Sequence, residues 1–139
     1  MCHKVSLFLV GSIRENITFV NPDISENDLR QALQVSGCDE FVNKLQNGIE
    51  TILGEKGKGL SEGQLQRIAL ARAIASGAPI LIFDEITSSL DRKTEEKILE
   101  NIKKMKNKTI IIVTHRESVS KICNREYVIE NKEIKEKKV

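Results

Sequence analysis

The chain has 139 residues, which fits one domain, and its 40% hydrophobic and 30% charged content is ordinary for a globular protein. The formal net charge of +2 is the small difference between 22 basic and 20 acidic residues, so charge argues for no nucleic-acid partner. No apolar run approaches the ~18 residues of a membrane span, and Val5 to Val10 is too short for a signal peptide. Membrane association is therefore expected to come through a partner. Cys2, Cys38 and Cys123 are scattered and odd in number, which suits reduced thiols in the cytoplasm. Cys2 and His3 lack further ligands nearby and make no metal site.

Read along the chain, the order is helical first and α/β second. Ser12 and Glu15 form a capping box that opens a helix. Asn21-Pro22-Asp23 is a turn, and Ser25 with Asp28 starts a second helix carrying Leu29, Ala32 and Leu33, which Gly37 ends. A shorter helix with Phe41, Val42 and Leu45 is expected to run to near Gly48. Ser61 is a good N-cap with Gln64 three residues on, a further capping box. The N–H groups and positive dipole end of such a helix suit a phosphate, although many helices start this way and bind nothing. Gly77 and Pro79 stop this helix.

Ile80-Leu81-Ile82-Phe83 is a continuous apolar run closed by Asp84 and Glu85. It predicts a buried parallel strand with carboxylates at its C-terminal end, the edge where open α/β sheets hold ligands. Two acids at a strand end can also be a solvated turn; the helix start just upstream favours a site. Ser88-Ser89-Leu90-Asp91 follows, with Asp91 placed to cap the next helix. Ile98, Leu99, Ile102 and Met105 recur at helical spacing and read as core. Thr109 to Val113 is a second β-branched strand, ending in Thr114 and His115. Glu117 to Cys123 predicts a short helix. Tyr127 to Glu130, Asn131-Lys132 and Glu133 to Lys135 predict a hairpin, and Lys135 to Val139 a solvated end.

Leu60-Ser61-Glu62-Gly63-Gln64, continuing as Leu65 to Ala73, resembles the signature motif of ATP-binding-cassette (ABC) ATPases. Other segments fall in that family's order. Ile80 to Glu85 resembles the Walker B strand, which implies Asp84 as the holder of a nucleotide-bound Mg²⁺ and Glu85 as the group that polarises the attacking water. Ser88, Ser89, Leu90 and Asp91 match the D-loop, and His115 matches the switch histidine that contacts the γ-phosphate. Thr51 to Gly57 looks like the X-loop of exporters, which implies that Glu55 touches the transmembrane coupling helices. Gly11 to Ile17 looks like the exporter stretch after the Q-loop.

The chain also departs from the family. No G-x-x-x-x-G-K-[ST] occurs, so the P-loop that cradles the β- and γ-phosphates is not in this sequence. Ungapped alignment on Gly11-Ser12-Ile13 puts Lys4 where the family has the Q-loop glutamine, and Met1-Cys2-His3-Lys4 looks like a start inside a longer domain. A truncated reading frame, a split gene or a degraded copy would each produce this. Glu62 stands where the common signature has glycine; a helix's first turn favours an acid, yet a carboxylate near phosphate is repelled unless it points away.

The resemblance implies an α/β chain with a partial P-loop NTPase (ABC ATPase) fold. A helical subdomain over about 12–77 would precede the C-terminal half of the parallel-sheet core over about 78–139. It further implies the ATP-binding subunit of an exporter, or a fragment of one, using ATP and Mg²⁺. The Ser61-Gly63 turn of one protomer would close over nucleotide held by the other in a homo- or heterodimer. The partners would be that dimer and an ABC transmembrane domain, with no nucleic acid, and the location peripheral, at the cytoplasmic face of the membrane. Two readings stand beside it: an inert remnant that docks but does not turn over ATP, and a soluble ABC ATPase of DNA maintenance. The X-loop and Gly11-Ser12-Ile13 resemblances argue against the latter. A P-loop strand beside Thr109 to Val113 would cover that strand's outer edge, so its absence is expected to leave the edge bare.

Overall fold

A computed structural model describes residues 8–57 and 59–137, Lys56 by its backbone alone. The expectations placed on Met1 to Lys4, and the start of the apolar run before Phe8, lie outside these residues.

The chain opens with β1 (Gly11–Ser12) and α1 (Ile13–Thr18). Ser12 caps α1 reciprocally: its hydroxyl accepts from the Glu15 N–H at 3.1 Å, and the Glu15 carboxylate accepts from the Ser12 N–H at 2.6 Å. Helix α2 (Glu26–Ser36) starts at Ser25 and stops at Gly37, which takes a left-handed φ of 69° that a side chain would strain. Helix α3 (Asp39–Val42) is shorter than the sequence suggests. After Val42 the bonds tighten to three-residue spacing, from the Lys44 N–H to Phe41 O and from the Leu45 N–H to Val42 O. Leu45 still packs on the core, and a 3₁₀ turn, Gly48–Glu50, leads into β2 (Ile52–Leu53), antiparallel to β1.

Helix α4 (Glu62–Ala75) is the longest element. It is followed by β3 (Ile80–Asp84), α5 (Arg92–Lys103) and β4 (Thr109–Val113). Strands β3 and β4 are parallel, with Ile82 opposite Ile111 and Asp84 opposite Val113. This is the strand–helix–strand unit that the sequence predicts. A 3₁₀ turn, Val119–Ile122, stands in place of the short helix expected over Glu117 to Cys123. The chain then forms a hairpin of β5 (Glu126–Glu130) and β6 (Glu133–Lys137). Asn131 and Lys132 have φ of 51° and 65°, the pair of positive values that a two-residue turn needs to match the strands' twist. The tail expected to be solvated from Lys135 is exposed through Lys137, and it is also paired in β6 as far as Lys137, opposite Glu126.

Helix α4 joins two apolar clusters. Ile68, Ala71 and Ala75 meet Ile13, Ile17, Leu29 and Leu53 in the first. Leu70 joins Leu81, Phe83, Ile98 and Ile102 in the second. Polar ties cross the first cluster. Asn16 is fully buried and pairs with both backbone groups of Leu9, at 3.0 Å each. Arg72 of α4 donates to the Asn16 carbonyl at 2.6 Å and to its side-chain oxygen at 3.1 Å, satisfying groups that would otherwise be costly to bury.

The β3–β4 pair is not buried on both faces as the apolar run implied. Leu81 and Phe83 face the helices, while Ile82 is 69% exposed and Ile80, Ile111 and Val113 are also open. Two helices cover one face only, and among the described residues nothing packs on the other. The bare feature is thus a whole apolar face, in addition to the unpaired outer edges of a two-stranded sheet. We expect the 139-residue chain to self-associate through this face. Replacing Ile82 and its neighbour Ile111 by Lys and Glu should shift it towards monomer in sedimentation velocity while leaving the helical circular dichroism unchanged.

Candidate functional site

The N-terminus of α4 is built as its sequence predicts. The Ser61 hydroxyl accepts from the Gln64 N–H at 3.2 Å, and the Gln64 side chain accepts from the Ser61 N–H at 2.8 Å. The first intrahelical bond is made by Leu65, to the Ser61 carbonyl, so the N–H groups of Glu62 and Gly63 precede the ladder and point out of the helix start. Ser61 and Glu62 are exposed, and Leu60 packs on the first core cluster. Glu55 is exposed in a 3₁₀ turn, Glu55–Gly57.

This helix start lies against the loop Ser88 to Asp91. A Cβ on Gly63 would sit 2.9 Å from the Ser89 carbonyl and 3.3 Å from Leu90 Cδ2, closer than backbone tolerates. Glu62 accepts the Ser89 hydroxyl at 2.7 Å. That bond ties its carboxylate to the loop. Leu90 is anchored in the second cluster. Asp91 caps α5, accepting from the Thr94 N–H at 3.0 Å and hydroxyl at 2.7 Å, and these bonds hold its carboxyl below the usual range. Ser61, Glu62, Gly63 and Ser88 to Asp91 line one shallow cleft with Arg67 and Thr94.

The second group of predicted residues gathers at the C-terminal ends of β3 and β4. Asp84 is exposed at the last position of β3. Glu85 leaves the strand with a left-handed φ of 52°, rare for a residue with a side chain, while its N–H still donates to the Val113 carbonyl at 2.9 Å. The turn aims its carboxylate across the sheet. Glu85 Oε1 accepts the His115 N–H at 3.2 Å and lies 4.0 Å from His115 Nε2. The His115 ring is otherwise 98% exposed, open to anything approaching the strand ends. The structure thus brings Glu85 and His115 together, and separately brings the Ser61–Gly63 turn to the Ser88–Asp91 loop.

Three further residues hold these groups, none of them singled out by the sequence reading. Gln66 donates to the Glu85 carbonyl and the Ser88 hydroxyl and accepts from the Ser89 N–H. Arg116, next to His115, donates to the Ser88 carbonyl at 2.9 Å and pairs with the buried Glu95 at 3.0 Å. Glu95 carried a legible signal: it extends the Ile98, Leu99 and Ile102 stripe by one turn, so an acid there had to be buried and paired. Gln66 carried none, since a glutamine on a helix is ordinarily solvated.

Residues 3–88 match the family model described as ABC transporter. The chain belongs to the ABC transporter family. It is 44% identical over 127 residues to the alpha-hemolysin translocation ATP-binding protein HlyB of Escherichia coli O157:H7, a match covering 91% of this chain and 18% of that protein. It is 42% identical to the leukotoxin export ATP-binding protein LtxB of Aggregatibacter actinomycetemcomitans, over 93% of this chain and 18% of that one. Among solved structures it resembles a bacterial Atm1-family ABC exporter with ATP bound, with a TM-score of 0.77 and 34% identity, covering 82% of this chain and 20% of that chain. The fold is part of an ABC ATPase fold, and the chain spans under a fifth of the length of these two curated relatives.

Gly63→Ala should destabilise the chain by about 1–3 kcal/mol in urea unfolding, because the new methyl group must displace the Ser89 carbonyl. A change below about 0.5 kcal/mol, the range of neutral surface substitutions, would show that the loop yields freely.

Proposed function

We propose that this chain is part of the ATP-binding subunit of an ABC exporter and supplies one side of a nucleotide site shared between two such subunits. The observation that carries the reading is the phosphate-competent start of α4 held against Ser88–Asp91, apart from the Glu85–His115 pair. Two separate half-sites suit a dimer in which each subunit serves two nucleotides. The division into a helical subdomain, about 12–77, and a sheet-core half, about 78–139, belongs to the same proposal.

The donor set fits one side of ATP. The N–H groups of Glu62 and Gly63, with Ser61, would bind the terminal phosphate of a nucleotide held by the other subunit. Asp84, exposed at the strand end, would hold Mg²⁺. Among the described residues no cluster of three or more His, Cys, Asp and Glu side chains could hold a metal, so Asp84 would share the ion with phosphate, water and groups outside these residues. Glu85 would orient the attacking water and His115 would contact the γ-phosphate. Phosphoryl transfer needs positioning and charge neutralisation above all, which these groups provide in part. The P-loop cradle is not among the 139 residues, so the chain by itself would bind ATP weakly and not hydrolyse it.

Among the described residues no helix is long and apolar enough to cross a membrane. Attachment at the cytoplasmic face would run through an ABC transmembrane domain, with exposed Glu55 at the contact. The described activities of the relatives, translocation and export, favour this reading over DNA maintenance. The inert-remnant reading rests on the missing P-loop pattern and is separated by reconstitution.

The test joins this chain behind the part of HlyB that precedes the matched residues. We expect Mg²⁺-dependent ATP hydrolysis, and a fall in kcat of about 10²–10⁴ for Glu85→Gln with ATP binding retained. Asp84→Asn should weaken the Mg²⁺-dependence of binding instead. Equal loss of binding from both would overturn the assigned roles, and sub-micromolar ATP affinity of the unjoined chain in calorimetry would overturn the shared-site reading.

A further inference from the structure

Gln66 lies on α4 less than a turn beyond Gly63, and its side chain spans the gap to the other half-site. Its Nε2 donates to the Glu85 carbonyl at 2.8 Å and to Ser88 Oγ at 3.1 Å, while its Oε1 accepts the Ser89 N–H at 3.1 Å. Donors and acceptor face different partners, so the amide can sit in one orientation only. The residue it grips most closely is Glu85, whose left-handed backbone needs external support. The same helix turn is pinned to the loop by the Gly63–Ser89 contact and the Glu62–Ser89 bond.

We propose that Gln66 is a positioning residue that makes the orientation of the Glu85 carboxylate depend on the seating of the Ser61–Gly63 helix start. In the dimer of the proposed function, on which this inference rests, the helix start serves one nucleotide and Glu85 the other. Gln66 would then carry the state of one site to the water-orienting group of the next, over a path within a single subunit. A displaced helix start would move the amide, release the Glu85 carbonyl and swing the carboxylate away from His115.

The first test needs no nucleotide. In the 139-residue chain carrying the solubilising Ile82→Lys/Ile111→Glu pair, Ser61→Ala should shift the amide resonances of Glu85 and His115. That response should vanish when Gln66→Ala is also present. The same response with and without Gln66 would overturn the proposal, and would do so whatever becomes of the ATPase reading. The second test uses the joined ATPase. Gln66→Ala should lower kcat about tenfold with KM for ATP within about twofold. Gln66→Glu, which keeps the acceptor for Ser89 but lacks both donors, should lose kcat equally while Ser89 keeps its hydrogen-exchange protection. Unchanged kcat in both variants would overturn the proposal. Absent hydrolysis with Gln66 intact would instead count against the functional reading, leaving the resonance test to decide the coupling.

Discussion

The first turn of α4 touches the Ser88–Asp91 loop only because residue 63 has no side chain. That single close approach, 2.9 Å from a would-be Cβ to the Ser89 carbonyl, fixes the distance between the helix start and everything that follows β3. Once the two backbones are that near, short polar side chains can bridge them: Glu62 to Ser89, and Gln66 to Glu85, Ser88 and Ser89. A bulkier residue at 63 would part the surfaces and leave these groups to compete with water, where each bond is worth little.

Arg116 closes the loop from the other side. Its partner Glu95 is almost fully buried in α5, with the Arg116 guanidinium 3.0 Å from its carboxyl oxygen. The other terminal guanidinium nitrogen, Nη2, reaches the Ser88 carbonyl. Ser88 is thus gripped through its hydroxyl by α4 and through its carbonyl by the segment that carries His115. The left-handed turn at Glu85 sits between these grips, with its N–H on β4 and its carbonyl on Gln66. Strain at one residue persists only where the surroundings over-determine it, and here they do.

The packing leaves one face of the β3–β4 pair open. A parallel strand pair normally has helices on both faces, yet α4 and α5 cover only the side of Leu81 and Phe83. Ile80, Ile82, Ile111 and Val113 form the uncovered side. The helical half buries its main cluster more fully, although Val10, Phe19, Val20 and Ile52 stay exposed. Ile13, Ile17, Leu29, Leu53 and Ile68 are all buried, and Asn16 and Arg72 satisfy one another within that cluster.

The sequence alone determined the local chemistry. Ser12, Ser25, Ser61 and Asp91 each cap a helix because their short oxygens reach the orphan N–H groups of the first turn, an interaction that spans three residues and needs no fold. The apolar run before Asp84 and the β-branched run before His115 defined two strands, and their separation by one helix made them parallel. What lay beyond reach were the ends and the bridges. Helix α3 stopping at Val42, and β6 running to Lys137, depend on tight turns and a cross-strand partner rather than on the residues themselves. Gln66 and Arg116 look solvated in the sequence; only the tertiary structure, by bringing residues 19 to 28 positions apart within 3.1 Å, made them the struts between the predicted site residues.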